Sequence, residues 1–242
     1  MANSYFDFKQ FRIAQDHCAM KVSTDACIQG AWLAKVLQLQ PPARLLDIGT
    51  GTGLLSLLLA QSLPEVHITA IEINEQASIQ AADNIQQSPW ANRIQVQHTS
   101  LQQFSPAEDA FEAIICNPPF FHKHLESKDE DRSAARHSPA LSKAVLAEKV
   151  QEYLAPEGQF GLMYPVSEWA DWLKVAAQQG LYCQRQLRVQ PHQQKEANRV
   201  VGVFGKKPCS EPLTETLCIY EAGTRTYTSD FILLMKQYYI YL

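Results

Sequence analysis

A chain of 242 residues, 46% hydrophobic and 19% charged, suits one large α/β domain or two small ones and is too apolar to be disordered. Its net charge of −4 excludes a generally basic nucleic-acid coat, though not a local basic patch. Six scattered cysteines (Cys18, Cys27, Cys116, Cys183, Cys209, Cys218) without a Cys-x-x-Cys pair indicate neither a zinc site nor a disulfide framework. The longest nearly apolar stretches, Leu54–Ala60 and Phe231–Leu242, are too short to cross a bilayer, so a cytoplasmic protein with no membrane association is expected.

Residues 1–22 place Phe6, Phe8, Phe11 and Ile13 among polar residues, an alternation that predicts a hairpin or arm. Ser23 or Thr24 can cap a helix from Asp25 to Leu37, with Ile28, Trp32 and Val36 on one face, ended by Pro41-Pro42. That helix covers the sheet, and it can also hold Thr24 or Asp25 over a ligand.

Ala43 to Ile48 reads as the first strand, Gly49-Thr50-Gly51-Thr52-Gly53 as a tight turn, and Leu54 to Leu63 as a helix. Alternating glycines let backbone approach a ligand closely, and the helix N-terminus presents unpaired N–H groups. His67 to Ile73 is the second strand. Glu72 lies nineteen positions past Gly53, the spacing of a carboxylate that accepts both hydroxyls of an adenosine ribose. Asn74 to Gln87 follows as a helix with Ala77, Ala81, Ala82 and Ile85 inward, broken by Ser88-Pro89-Trp90. Arg93 to Gln97 is the third strand, followed by Thr99-Ser100.

The fourth strand, Ala113 to Cys116, runs into Asn117-Pro118-Pro119-Phe120-Phe121. Prolines cannot donate ladder hydrogen bonds, so the sheet ends there and the strand delivers a stiff polar elbow followed by two rings. Asn117 and the Pro118 carbonyl can accept hydrogen bonds from an amino group, and Phe120 can stack on a flat ring. Asn-Pro is also a common turn starter, and taken alone the elbow reads equally as a strand end.

A seventeen-residue polar loop, 122–138, reads as either a solvated loop or a substrate lid; its three histidines lack partners at ligand spacing, so no metal is expected. Ser138-Pro139 reads as a helix start, with Leu141, Val145, Leu146 and Leu154 inward, and Pro156-Glu157-Gly158 as a turn into a fifth strand, Gln159 to Tyr164. Ser167 to Gln179 is a helix closed by Gly180, with Trp169, Trp172 and Leu173 in the core. Leu181 to Val189 and Arg199 to Lys206 form an antiparallel pair. Six cations (Arg185, Arg188, Lys195, Arg199, Lys206, Lys207) oppose only Glu196 in that stretch, an excess compatible with phosphate contacts or with a solvated hairpin. Leu217 to Tyr220 can add a strand. Ser229 caps a last helix carrying Phe231, Leu234, Met235, Tyr238 and Tyr239, the two tyrosines serving core or dimer equally.

Asp47, two positions before the first of the alternating glycines, resembles the first motif of class I S-adenosylmethionine-dependent methyltransferases, and Asn117-Pro118-Pro119-Phe120 resembles the fourth motif of those that methylate amino groups. Lys21-Val22-Ser23-Thr24-Asp25, Ser88-Pro89-Trp90 and the elbow are similar to the bacterial family that methylates N6 of the adenine 3′ of the anticodon in valine tRNA. The likeness runs from about Phe8 to the C-terminal helix. It implies a Rossmann-like, doubly wound α/β fold: a mostly parallel seven-stranded sheet with an antiparallel last hairpin and helices on both faces. A single domain over 1–242 is implied, with 1–42 an arm and helix covering the cofactor site and 43–242 the catalytic core.

The resemblance further implies S-adenosyl-L-methionine held by Thr24, Asp47, Gly49, Gly51, Gly53, Glu72, Ile73, Ser100 and Asn117, with Asn117, Pro118 and Phe120 acting on the amino group. Phe121, Lys123, Arg132, Arg136, Arg188, Lys195 and Arg199 are the expected contacts to tRNA. Ser100 departs from the family's usual aspartate at the cofactor's adenine. The fourth motif is shared by enzymes acting on other RNA bases, on DNA adenine and on protein glutamine, and a non-catalytic RNA-binding protein of the same fold is a further alternative.

Overall fold

In a doubly covered parallel sheet each strand must be apolar on both faces. In the computed structural model, β3 (Arg44–Ile48) sends Leu45 into one core layer and Leu46 and Ile48 into the other. Its neighbour β6 (Phe111–Cys116) divides in the same way, Ala113 and Ile115 against Ile114 and Cys116. The period of two within a continuous apolar run thus builds two cores from one sheet. The structure describes residues 3–18, 20–106, 110–118 and 141–242.

The remaining strands are β4 (His67–Glu72), β5 (Ile94–His98), β7 (Leu154–Pro165), β8 (Tyr182–His192), β9 (Arg199–Gly205) and β10 (Leu213–Tyr220). Their order across the sheet is β10-β8-β9-β7-β6-β3-β4-β5. All neighbours are parallel except β9, which is antiparallel to β7 and β8. The expected seven-stranded arrangement with its antiparallel hairpin is therefore present. It is extended by β10, which starts at Leu213 and adds an eighth strand parallel to β8. The chain moves from β3 through β4 to β5, then crosses back to place β6 on the other side of β3. This is the switch point at which open α/β sheets bind ligands, beyond the carboxyl ends of the strands.

One face is covered by α1 (Thr24–Leu37), α2 (Leu54–Ser62) and α6 (Ser229–Met235), with Ile85 of α3 (Glu75–Gln86) at its margin. The other is covered by α4 (Lys143–Tyr153) and α5 (Val166–Gln178), whose Leu146 and Trp172 are fully buried. The N-terminal residues form the expected hairpin, β1 (Tyr5–Asp7) and β2 (Arg12–Ala14). Phe8 stacks on Phe11 at 4.5 Å, and Trp90 meets Phe11 edge-on at 5.7 Å. Asn84 of α3 holds this arm in place: its Oδ1 accepts from Ala14 N at 2.9 Å, and its Nδ2 donates to the Ala14 and Thr52 carbonyls.

Several boundaries differ from expectation, each for a local reason. Ser142 caps α4, accepting from Val145 N at 3.2 Å, so the described helix starts after Ser142 and not at Ser138-Pro139, which lie outside the described residues. Pro156-Glu157-Gly158 is not a separate turn but part of β7. Between Phe111↔Leu154 and Ala113↔Gln159, β6 advances two residues while β7 advances five. The extra residues bulge out where proline cannot donate to the ladder. Thr228, not Ser229, caps α6, and Ala82 is exposed on α3. Tyr238 and Tyr239 follow α6 and belong to the core, Tyr238 bonding the Ser62 hydroxyl at 2.6 Å.

Helices α1 and α2 approach closely because Gly30 offers no side chain. A Cβ there would lie 2.5 Å from Leu58 Cδ1 and 3.1 Å from Leu58 Cβ. Gly30→Val is expected to destabilise the protein by about 1–3 kcal/mol through overpacking. The check is a lowered denaturant midpoint at unchanged m value; a midpoint equal to that of the parent would show that the two helices can separate freely.

Candidate functional site

The carboxyl ends of β5, β4, β3 and β6 lie side by side, in the registers Glu72↔His98, Ile48↔Ile71 and Ile48↔Cys116. Between β3 and α2 the chain turns through Gly49, Gly51 and Gly53, with φ of 69°, 59° and 82°. Side chains rarely adopt this left-handed region, and glycine enters it without strain. The Ile71 carbonyl accepts from Gly49 N (2.9 Å) and Thr50 N (3.0 Å), which pins the turn to β4. A Cβ on Gly49 or Gly51 would meet nothing within 4 Å, so the turn faces open space.

Asp47 is fully buried beneath this turn. Its Oδ2 accepts from the Thr50 hydroxyl at 2.7 Å and the Ser56 hydroxyl at 2.6 Å, while its Oδ1 has no donor. Burial pushes the carboxyl up to about 6; the Ser56 and Thr50 hydroxyls pull it down, and the neighbouring Glu72 charge pushes it up. Glu72 is almost wholly buried at the end of β4. Its Oε2 accepts from Gly51 N and its Oε1 from Asn74 N, both at 2.9 Å. The carboxylate is thereby aimed at the glycine turn, with a lone pair on each oxygen left over. Ile73 beside it is half exposed. Ser100 is engaged locally, its hydroxyl accepting from Gln103 N at 3.2 Å in the turn after β5.

At the end of β6 the Asn117 Oδ1 is buried and has no hydrogen-bond partner; Pro118 is buried beside it. The peptide leading into Asn117 is held from α1: Gln29 Nε2 donates to the Cys116 carbonyl at 2.8 Å. Gln29 is itself 0% exposed, and its Oε1 lacks a donor. Asp47 Oδ1, Asn117 Oδ1 and Gln29 Oε1 are three buried acceptors on this edge without donors. Such atoms are costly when left unpaired, so the edge suits a ligand rich in N–H groups and positive charge.

The first turn of α1 lies at the same edge. Ser23 caps it by accepting from Ala26 N at 3.2 Å. Thr24 lies against the Tyr239 hydroxyl, whose pKa is raised by burial and by neighbouring Cys27. Asp25 Oδ2 pairs with Arg199 Nε at 2.9 Å. Arg199, expected at the RNA, is thus tied to α1. Arg188 is half-buried in β8, and Lys195 is exposed in the β8–β9 turn. The six cations expected as one patch are divided by the sheet: the register Tyr182↔Gly205 puts Arg185, Lys206 and Lys207 toward the opposite end, where Lys207 pairs with Glu157 at 2.6 Å. Phe120, Phe121, Lys123, Arg132 and Arg136 lie outside the described residues. Among the described residues there is no cluster of three His, Cys, Asp or Glu that could hold a metal ion, and no helix long and apolar enough to cross a membrane.

Sequence reasoning missed Gln29, Ser56 and Asn84. Gln29 and Ser56 are fully buried polar residues among the apolar buried residues of α1 and α2, a mismatch that could have marked them, whereas Asn84 shares the buried face of α3 with Ser78 and Gln80 and gave no such signal.

The family model described as methyltransferase small domain matches residues 24–160. The tRNA1(Val) (adenine(37)-N6)-methyltransferase of Bacteroides thetaiotaomicron is 39% identical, covering 100% of both chains. Those of Vibrio cholerae (38%; 99% of this chain, 97% of the relative) and Trichodesmium erythraeum (37%; 99% of each) are similarly related. Among solved structures, a predicted O-methyltransferase from Agrobacterium tumefaciens superposes with a TM-score of 0.65 at 17% identity, over 88% of this chain and 95% of that one. A putative RNA methyltransferase from Pyrococcus horikoshii gives 0.56 at 17% identity, over 78% and 86%. Both share the fold.

The Asp47 carboxyl gives this edge a pH signature. Its folded-state pKa lies above the ordinary aspartate value, so the folded protein binds the proton more tightly than the unfolded chain. Stability is therefore expected to fall as pH rises from about 4 through about 6. In Asp47→Asn that component should be missing. Unfolding free energies of the two proteins against pH should diverge in this window; parallel curves would mean that Asp47 is ionised at no cost.

Proposed function

The chain belongs to the methyltransferase small-domain family, and on that premise we propose that it transfers a methyl group from S-adenosyl-L-methionine to N6 of adenine in tRNA, in valine tRNA at the base 3′ of the anticodon. Relatives named for that reaction align over essentially their whole length at 37–39% identity. The observation that carries the assignment to particular residues is the Asn117 side-chain oxygen, buried and unpartnered at the switch point of the sheet.

Bound there, S-adenosyl-L-methionine supplies a methyl group already activated on a sulfonium sulfur. The residues present suit it. Gly49, Gly51 and Gly53 let the backbone approach, and Glu72, held by two backbone donors, keeps lone pairs for the ribose hydroxyls. Asp47, with its free Oδ1, gives the turn its negative charge, and in this reading Thr24 at the start of α1, Ile73 after β4 and Ser100 after β5 complete the cofactor's surroundings.

The protein then has to position a weak nucleophile. The N6 lone pair of adenine is delocalised into the ring. Asn117 Oδ1 and the Pro118 carbonyl accept the two amino hydrogens, which draws that lone pair out of conjugation. As positive charge develops on nitrogen the two acceptors interact more strongly, so they stabilise the transition state more than the ground state. The Gln29 bond to the Cys116 carbonyl fixes the peptide from which Asn117 projects. The product ammonium is acidic and loses its proton to solvent, so no strong base is required.

Residues 1–242 act as one domain in this proposal, with 1–42 lying over the cofactor. All six cysteines are free, which fits the reducing cytoplasm where tRNA is modified.

Labelled methyl from S-adenosyl-L-methionine should enter unmodified valine tRNA and appear as N6-methyladenosine on nucleoside analysis. Label removed by protease and not by ribonuclease would transfer the substrate to protein. Asn117→Ala should lower kcat by about 10²–10³-fold, the loss typical of one transition-state acceptor or donor, while cofactor affinity by calorimetry stays within a few-fold. Equal losses of kcat and of cofactor affinity would remove Asn117 from this role.

A further inference from the structure

We infer that the rings of His192, Tyr220 and Tyr227 form a stacking platform for unpaired RNA bases next to the methylated adenine. This rests on RNA being the substrate.

The platform is a column built onto the core. Phe231 of α6 is 0% exposed, and Tyr227 stacks on it with ring centres 4.4 Å apart and planes 20° apart. Tyr220 stacks on Tyr227 at 5.1 Å and 17°. His192 lies against Tyr220 at 5.7 Å and 36°. Backbone pairing holds each step: Tyr220 is the cross-strand partner of His192, and the 220–227 hairpin closes through Gly223 and the Glu221 N–H to Thr226 carbonyl bond of 2.9 Å. Rings fixed in this way lose little entropy on binding. Yet His192, Tyr220 and Tyr227 all keep solvent-accessible surface. The column begins on the core at Phe231 and ends at the surface with His192.

Its place on the sheet is the second observation. β8 and β10 run in the same direction as β6, so their carboxyl ends share the edge that carries Asn117. β8 is three strand steps from β6 and β10 is four, about 14 Å and about 19 Å at the usual strand spacing. A short single-stranded loop with one base at Asn117 can reach that far.

The charges around the column point the same way. Arg188, Lys195 and Arg225 are accompanied by Glu196 and Glu221, a nearly balanced set that gives little net attraction for phosphate. What this corner offers a nucleic acid is π-surface. Base–aromatic stacking accepts any base, as positioning of a loop requires, and does not depend on a basic surface.

The test is steady-state methylation of unmodified valine tRNA by the full chain carrying Tyr220→Ala, Tyr220→Leu, Tyr220→Phe or His192→Ala. Tyr220→Ala and Tyr220→Leu should raise KM for tRNA by about 5- to 100-fold, the range expected for loss of one base–aromatic stack. Tyr220→Phe should leave KM unchanged, and His192→Ala, which removes the ring at the open end of the column, should raise it at least as far. Leucine keeps apolar bulk against Tyr227, so a purely structural role predicts that Tyr220→Leu behaves like Tyr220→Phe; that result, or an unchanged KM in Tyr220→Ala, overturns the inference. Cofactor affinity and Tm are followed in parallel, and a KM rise accompanied by equal loss of cofactor affinity also counts against it. If the unaltered chain labels no tRNA, the substrate reading fails and this inference with it. If it labels tRNA and the variants do so equally well, only the platform is lost.

Discussion

A carboxylate at 0% exposure in the middle of the sheet is the constraint around which this end of the molecule is arranged. Burying an ionisable group without compensation is expensive. Asp47 is compensated on one oxygen only, by two hydroxyls, Thr50 within the glycine turn and Ser56 within the helix that follows it. Those two bonds fix how the turn leaves β3 and how α2 begins. The turn in turn gives Gly51 N to Glu72, which fixes the carboxylate at the end of the next strand. The uncompensated oxygen joins Asn117 Oδ1 and Gln29 Oε1 as acceptors without donors. These three acceptors leave the edge able to bond a cationic, donor-rich ligand, with no donor of the protein competing for them.

The N-terminal segment is bound to this arrangement by polar contacts from several directions. Asn84 ties the arm to α3 and to the Thr52 carbonyl of the glycine turn. Gln29 ties α1 to the end of β6. Asp25 ties the first turn of α1 to β9 through Arg199, where both side chains are only partly exposed. An exposed ion pair contributes little, but one that spans two elements in a partly shielded site also restricts their relative position. The aromatic contacts of Phe6, Phe8 and Tyr239 add the apolar part of the attachment. Residues 3–18 and 20–42 are therefore packed against α3, the glycine turn, the end of β6 and β9.

Most of this fold was legible because its signals are local. Apolar runs closed by glycine and by Asn-Pro marked β3 and β6, and the alternating glycines at 49, 51 and 53, read as a tight turn, all adopt the left-handed conformation. What escaped depends on contacts remote in sequence. Gln29 acquires its role from a carbonyl 87 positions away. The bulge at 156–158 is decided by the register of β6, and Pro-Glu-Gly looks the same in a turn. The cations of the β8–β9 hairpin looked like one patch because the sequence lists them together, whereas an antiparallel pair carries its two ends to opposite sides of the sheet. The same limit hid the column of His192, Tyr220, Tyr227 and Phe231, which only assembles once β10 lies beside β8.

These placements bear on how an acidic chain can engage a polyanion. Two of the cations counted as candidates are paired, Arg199 with Asp25 and Lys207 with Glu157, and the second of these sits at the far end of the sheet from Asn117. Among the described residues the edge near Asn117 therefore has few unpaired positive charges, so those residues contribute little counterion release. A target base that already lies in a loop costs little to unstack. Holding it then needs acceptors matched to its amino group and rings matched to its neighbours. On the proposed reading Asn117 and Pro118 supply the first and the column ending in His192 the second, and neither requires a basic protein.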